Sequence, residues 1–191
     1  MRTITVLWLF VLLSLGAVAP ASAGGGEHAG GIVYGKDHAF NVQAPQGWVL
    51  DNQSGVAQGL HAVFYPKGSS WEGSPVIMYA QVVGKRDAGS DTLEKVIRND
   101  ISYFRERSKN LNVTDAGQLP TAEDGKTAAV RYFTGDAYNN HEAIAYNDGT
   151  TVVVLLILSS KTQKGFEESL PAFRELVKSY RFITDKVDIE K

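Results

Sequence analysis

The most constraining feature of the sequence is an apolar run near its C-terminal end. Residues 152–158 are all valine, leucine or isoleucine, with no polar residue among them. A run of this length and composition is typical of a buried strand. Because side chains alternate between the two faces of a strand, a strand without a polar face must be covered on both sides. We therefore predict that residues 150–159 form the central strand of a sheet packed between two layers.

Shorter segments with a period of two, bounded by turn residues, predict further strands. These segments are 40–44, 48–50, 60–65, 76–83, 126–134 and 141–146. The sequence Asn147-Asp148-Gly149 separates the last of them from the central strand, and Glu123-Asp124-Gly125 precedes another, so both are predicted hairpin turns. The strands follow one another closely enough to form hairpins, which predicts a mostly antiparallel sheet.

Two segments have a helical period instead. Residues 91–107 place their apolar side chains on one face, and Asp91 with Glu94 matches a capping box. A second apolar stripe follows residues 166–180 and contains Pro171, so either one kinked helix continues through the proline or a helix starts near Ser169. We favour the kinked helix because the stripe is unbroken. One helix on each face of the sheet predicts an α+β fold, a three-layer α/β/α sandwich.

The N-terminus predicts export. Arg2 is followed by an apolar run, then by small residues that end in Ala21-Ser22-Ala23, the pattern of a cleavable signal peptide. The apolar run is shorter than the roughly 20 residues that cross a bilayer, so no membrane insertion is expected after cleavage. We predict a signal peptide at 1–23, a flexible leader at 24–35, one domain at 36–185 and a tail at 186–191. The location is then periplasmic or secreted.

Composition excludes several classes of function. The chain has no cysteine, so disulfides, thiolate catalysis and cysteine-bound metals are absent. The formal net charge is −2 and Lys and Arg are not clustered, which argues against nucleic-acid binding. Glycine motifs for phosphates or dinucleotides are missing, so no cofactor is expected. The oligomeric state is left open.

With this order of elements, the chain resembles the Mog1/PsbP-like family, which includes bacterial exported PsbP-like and DcrB-like proteins. The resemblance rests on residues 40–48, an opening strand that ends in Pro45-Gln46-Gly47-Trp48, and on the closing segments 158–162 and 166–182. It implies an α/β/α sandwich. Relatives of this kind include accessory subunits of photosystem II, a nuclear transport factor and bacterial envelope proteins, so the resemblance implies an accessory role more than catalysis.

Aromatic residues give the leading candidate for a binding site. Trp71 lies in a loop rich in Gly, Ser and Pro between two predicted strands. Those strands would carry His61 and Tyr65 on one face and Tyr79 on a face of the second. A tryptophan beside tyrosines can anchor a peptide or a small ligand. The alternative is that Trp71 is a structural plug over an open end of the sandwich.

An alternative site is built on His141. Together with Asp136 and Glu142 it could bind a metal ion across the turn at residues 139–140. A hydrolase-like enzyme would need a histidine base near Ser159 or Ser160, but those serines are better interpreted as the cap of the last helix. No catalytic residue is assigned. The leading hypothesis is an exported, non-enzymatic binding or accessory domain of the cell envelope that docks on another protein. The alternative is a metal- or small-ligand-binding protein, or an enzyme, that uses His141.

Overall fold

A computed structural model describes residues 30–86 and 91–187. Within these ranges it contains ten strands and two helices. The strands are β1 (Gly30–Gly35), β2 (His38–Gln43), β3 (Trp48–Asp51), β4 (Val63–Pro66), β5 (Val76–Gly84), β6 (Asn112–Pro120), β7 (Thr127–Thr134), β8 (His141–Asp148), β9 (Val152–Ser160) and β10 (Arg181–Thr184). The helices are α1 (Leu93–Arg107) and α2 (Gln163–Ser179), and a short 3-10 helix covers Val56–Gln58.

The main sheet has seven strands in the order β3-β4-β5-β9-β8-β7-β6, and every neighbouring pair is antiparallel. Strand β9 occupies the middle position, as its apolar sequence predicts. Val154 and Leu156 belong to one buried cluster with α2, whereas Leu155 and Ile157 belong to a second cluster with α1. The helices therefore cover opposite faces of the sheet, and the predicted α+β sandwich with an antiparallel sheet is confirmed.

Helix α2 runs through Pro171 without interruption, so the single-helix interpretation is correct. The caps differ from the prediction. Thr162 caps α2 by accepting a hydrogen bond from the Gly165 backbone N–H at 3.0 Å. Helix α1 is capped by Thr92, and Asp91 instead accepts a hydrogen bond from the Lys95 ammonium group at 2.5 Å. Thr92 directly follows Asp91, whereas Thr162 lies two residues after Ser160, and the extended backbone of each threonine makes it the first residue outside its helix.

A second sheet, in the order β1-β2-β10, packs against the α2 side of the molecule. Strand β1 pairs with β2 from Gly30 to Gly35, so the prediction of a flexible leader through residue 35 is wrong for residues 30–35. Residues 24–29, the predicted signal peptide and the end of the predicted tail lie outside the described residues. Strands β2 and β3, which lie on either side of the Pro/Gly turn, belong to different sheets.

The turn between β2 and β3 carries the chain from one sheet to the other. The Trp48 backbone N–H donates to the Pro45 carbonyl oxygen at 3.0 Å, and Gly47 has a φ of +79°. Only glycine adopts this conformation readily, which explains the Pro-Gln-Gly sequence. The turn directs Trp48 into the core, where it is 9% exposed.

Candidate functional site

A cleft of about 430 Å³ opens on the α1 face of the sheet, at the end where β8 begins and β9 finishes. Strands β5, β8 and β9 form its floor, because Ile77, Glu142 and Ser159 point to the same face. The loops before β4 and β5 form one wall. The residues that line it are Gln58, Leu60, Trp71, Ser74, Pro75, Ile77, Tyr79, Gln81, Asn140, Glu142, Ser159, Ser160 and Lys161.

Trp71 and Tyr79 form the aromatic part of the cleft. Their ring centroids are 6.1 Å apart and their planes meet at 83°, an edge-to-face arrangement. The Trp71 Nε1 group donates to Gln58 Oε1 at 3.3 Å, which fixes the indole over the cleft. Trp71 remains half-buried because its loop lies at the surface. Two of the four residues predicted to form the aromatic site are therefore brought together.

Tyr65 and His61 do not line the cleft. The Tyr65 hydroxyl donates to Asp51 Oδ2 at 2.9 Å, and this bond joins β4 to β3 at the edge of the sheet. Strand β4 begins at Val63, so His61 precedes the strand and is exposed. The prediction that residues 60–65 form one strand is wrong at its start, since β4 begins only at Val63. The chain leaves the 3-10 helix at Val56–Gln58 through Gly59, whose backbone is left-handed.

Glu142 forms the buried floor of the cleft. It is only 6% exposed, and burial raises the pKa of its carboxyl group to about 7. A hydrogen bond from Ser159 and the positive charge of Lys161 oppose the rise, while Asp136 and Asp100 add to it. A carboxyl group with this pKa changes its charge near neutral pH. The same surroundings and burial keep the Tyr79 hydroxyl protonated by raising its pKa.

The rim of the cleft is polar. Lys161 Nζ donates to Asn140 Oδ1 at 2.8 Å, which holds the ammonium group at the mouth. Gln81 lies on the same face as Tyr79 and is exposed. The cleft thus combines an aromatic wall, amide groups and one buried carboxyl group, the mixture that ligand-binding clefts use for orientation and specificity.

The structure does not form the alternative metal centre. His141 and Glu142 are successive residues of β8 and point to opposite faces, and the His141 ring packs on Phe166 of α2 with centroids 6.2 Å apart. The Asp136 carboxylate accepts hydrogen bonds from the Tyr138 and Asn140 backbone N–H groups, at 3.0 and 2.6 Å. Among the described residues, no three His, Asp or Glu side chains are grouped for a metal ion.

Neither Ser159 nor Ser160 is arranged with His141 as a nucleophile and its base. Ser159 faces the cleft with Glu142, whereas His141 faces α2. Ser160 pairs with His141 in the sheet, but its hydroxyl donates to the Thr162 carbonyl oxygen at 2.8 Å. In the described part of the chain, neither of these two hydroxyl groups hydrogen-bonds the His141 ring, as activation of a nucleophilic serine requires.

Glu142 was a candidate ligand of the alternative metal site, whereas in the structure its side chain lines the cleft. It shares a face with Ile144 and Tyr146, both buried in the α1 cluster. The sequence contained a signal for this position, because Glu142 falls on the buried face of an alternating strand. Carboxyl groups are rarely buried, so a buried glutamate indicates a possible functional group. Gln58, Gln81 and Asn140 were missed because three separate segments converge on the cleft, and no local pattern reveals such convergence.

The fold is similar to that of proteins of known structure. The chain is similar to the solution structure of cyanobacterial PsbP (CyanoP) from Synechocystis sp. PCC 6803, with 14% identity, a TM-score of 0.51, and coverage of 86% of this chain and 98% of that one. It also matches a point mutant of the protein Mog1 at 10% identity, with a TM-score of 0.42 and coverage of 76% and 91%. No family model and no curated protein sequence match. The likeness to CyanoP shows the fold, and the predicted Mog1/PsbP-like fold is confirmed.

Neither described helix is both long and apolar enough to cross a membrane.

Proposed function

We propose that the protein is a non-enzymatic accessory domain of the cell envelope that docks on another protein through the Trp71 cleft. The observation that carries the proposal is the half-buried Trp71 indole, edge-to-face with Tyr79, in the same cleft as the buried carboxyl group of Glu142. Aromatic side chains in partly enclosed positions dominate the energetics of protein interfaces. The signal-peptide pattern at the N-terminus supports a location outside the cytoplasm.

The chemistry of the cleft favours a partner segment that presents an arginine side chain. Asp136 and Asp100 add negative charge around Glu142, and the Lys161 ammonium group opposes them. The faces of Trp71 and Tyr79 can hold a guanidinium group by cation–π attraction. A guanidinium is planar and donates two parallel hydrogen bonds to a carboxylate, which an ammonium group does not.

Docking of a cation on this floor would depend on pH. Glu142 has a pKa of about 7, so a large part of the free protein carries a neutral carboxyl group at neutral pH. A guanidinium beside it stabilises the charged form and lowers its pKa. The proposal therefore expects tighter docking as the pH rises from 6 to 8.

The experiment is site-specific photo-crosslinking in the envelope of the native host. A photoreactive residue replaces Gln81 inside the cleft or, as a matched control, the exposed Glu168 on α2. The proposal expects one defined adduct from position 81 and none of that mass from position 168. Trp71→Ala should remove the adduct and Glu142→Gln should reduce it, whereas Tyr34→Ala, which removes an exposed aromatic on β1, should not.

Two results would contradict the proposal. An adduct from position 81 that persists in both cleft variants would mean that the contact does not use the cleft. The same adduct pattern from positions 81 and 168 would indicate non-specific proximity.

A further inference from the structure

Among the described residues, the main sheet ends in the edge strands β3 and β6, and the small sheet ends in β1 and β10. An edge strand exposes unpaired backbone N–H and C=O groups, so proteins usually protect it with charges, proline, a bulge or a covering loop. Strand β3 has only four residues and ends at Asp51. Strand β6 ends at Pro120, and its register shifts between Asp115 and Gln118. Both edges of the main sheet are thus protected.

In the small sheet, β10 is protected and β1 is not. A loop covers the edge of β10, because the Ala122 backbone N–H donates to the Tyr180 carbonyl oxygen at 2.9 Å. From the same loop, the Glu123 carboxylate accepts a hydrogen bond from the Phe182 backbone N–H at 3.0 Å. Strand β1 (Gly30–Gly35) contains no charged residue and no proline, and its register with β2 has no shift.

The backbone groups that point out of the β1 edge belong to alternate residues. Gln43 lies opposite Gly30 in the register, but its N–H donates to Ser179 Oγ at 2.9 Å, so this pair does not exchange backbone hydrogen bonds. Pairs with and without such bonds alternate along an antiparallel ladder. Ile32 and Tyr34 are therefore also in pairs without them, and their N–H and C=O groups point away from β2, toward the free edge.

The side chains of these two residues are exposed as well. Ile32 is 61% exposed and Tyr34 is 59% exposed, and both lie on the outer face of the small sheet. Val33 between them is 8% exposed and belongs to the large core cluster. Exposed apolar side chains beside unpaired backbone groups are typical of a strand that pairs with another chain.

The sequence of β1 is complementary to itself. If two antiparallel copies pair about Val33, then Ile32 of each copy lies opposite Tyr34 of the other, and each of these pairs can exchange two backbone hydrogen bonds. The same register sets a β-branched side chain beside an aromatic ring, which is a favourable cross-strand pair. On the inner face Gly31 lies opposite Gly35, so no side chain obstructs the approach there. No charge within β1 repels the second copy.

We propose that the partner of β1 is a second copy of this chain, so that two three-stranded sheets join into one six-stranded sheet across a two-fold axis. The contact between one short strand of each copy is small, so the dimer is weak and its population depends on concentration. No residue of β1 lines the Trp71 cleft, so the dimer contact and the docking cleft use different residues.

Sedimentation velocity of the purified protein, up to a concentration of about 1 mM, tests the association. We expect the mean mass to rise from that of a monomer toward that of a dimer. Ile32→Lys places a charge on the edge and should weaken the dimer by about tenfold or more. Ile183→Lys is the matched control, since Ile183 is 48% exposed on β10 of the same sheet, and it should leave the dimer unchanged. A monomer at every concentration, or equal weakening by both variants, would overturn the proposal.

Cysteine trapping tests the register, because the chain has no cysteine of its own. Val33→Cys places two thiols directly opposite each other, with Cα atoms about 4.5 Å apart, which suits a disulfide. Lys36→Cys, in the exposed turn after β1, is the control, since the same register separates its two copies by roughly 20 Å. Mild oxidation should give a covalent dimer from Val33→Cys and none from Lys36→Cys. A covalent dimer from Lys36→Cys, or none from Val33→Cys, would contradict the pairing about Val33.

Discussion

Glu142 of β8 lies directly opposite Ser159 of β9 in the antiparallel register, and the Ser159 hydroxyl donates a hydrogen bond to the Glu142 carboxyl group. This pair joins the two most buried strands of the sheet at the floor of the Trp71 cleft. The carboxyl group is therefore part of the core and of the candidate site at once. Its charge should affect both stability and docking.

Glu142→Gln should change how stability depends on pH. The pKa of this carboxyl group rises from an ordinary value of 4.5 to about 7 on folding, so the folded protein binds more protons than the unfolded chain between these values. The wild type therefore loses stability as the pH rises through this window, by on the order of 2–3 kcal/mol. The glutamine variant lacks this loss. Its free energy of unfolding relative to the wild type should increase from pH 5 to pH 8.

Urea unfolding at a series of pH values measures the difference. Glu168→Gln, which neutralises an exposed carboxylate on α2, is the control and should keep a constant offset from the wild type. The comparison must be a difference, because burial lowers the pKa of His38 and makes an opposite contribution near pH 6. Parallel pH profiles for the wild type and Glu142→Gln would show that the carboxyl group titrates as an exposed one.

Trp71 and Trp48 should differ sharply in their contribution to stability. Trp48 is 9% exposed and belongs to the large core cluster on the α2 side, whereas Trp71 is half-buried in a surface loop. Trp48→Ala should cost about 3–5 kcal/mol through the cavity that it leaves. Trp71→Ala should cost less than about 1 kcal/mol. Equal losses in urea unfolding would support the structural-plug interpretation of Trp71 instead of a docking role.

Tyr146→Phe should destabilise the packing of α1 on the sheet. The Tyr146 hydroxyl donates to Asp100 Oδ2, and Tyr146 is fully buried. Without the hydroxyl, Asp100 loses its partner, which should cost about 1–3 kcal/mol. Burial already raises the pKa of Asp100 and the Tyr146 bond opposes that rise, so the pKa should increase further in the variant. NMR titration of the Asp100 carboxyl group and thermal unfolding check the two effects.

Tyr103→Phe serves as the control for this variant. Tyr103 is 55% exposed on α1, and its ring carries the Arg107 guanidinium at 3.5 Å from the centroid, a contact that phenylalanine keeps. Its stability and the Asp100 titration should match the wild type. A stable Tyr146→Phe variant with an unchanged Asp100 titration would show that the two groups do not interact in solution.

The central part of the fold could be predicted because each of its segments carries its own signal. The apolar run of β9 is typical of a buried strand, and the apolar stripes of α1 and α2 have the period of a helix. Strand β6 carries no such signal. It is an edge strand whose register shifts between Asp115 and Gln118, where Gly117 has a φ of +79°, so its apolar residues do not alternate. Its existence depends on pairing with β7.

The candidate site was less predictable than the fold. Trp71 and Tyr79 could be named because both are aromatic and lie near one loop in the sequence. The position of Glu142 beneath them follows from the pairing of β8 with β9 and of β9 with β5, which are distant in sequence. The cleft arises from tertiary pairing, which no single segment records.

Pro171 provides a test of how much strain α2 tolerates. It lies inside the helix and is exposed, so it removes one backbone donor and leaves the Glu167 carbonyl oxygen without its usual partner. Pro171→Ala restores that bond and raises helix propensity, although it also frees the unfolded chain. The free energy of unfolding should rise by about 1–2 kcal/mol. Glu168→Ala, on the exposed part of the same helix, should change it by less than about 0.5 kcal/mol. Because α2 covers β9 through buried Phe173 and Val177, a loss of stability in Pro171→Ala would mean that the sheet is fitted to a kinked helix and that straightening it separates the two.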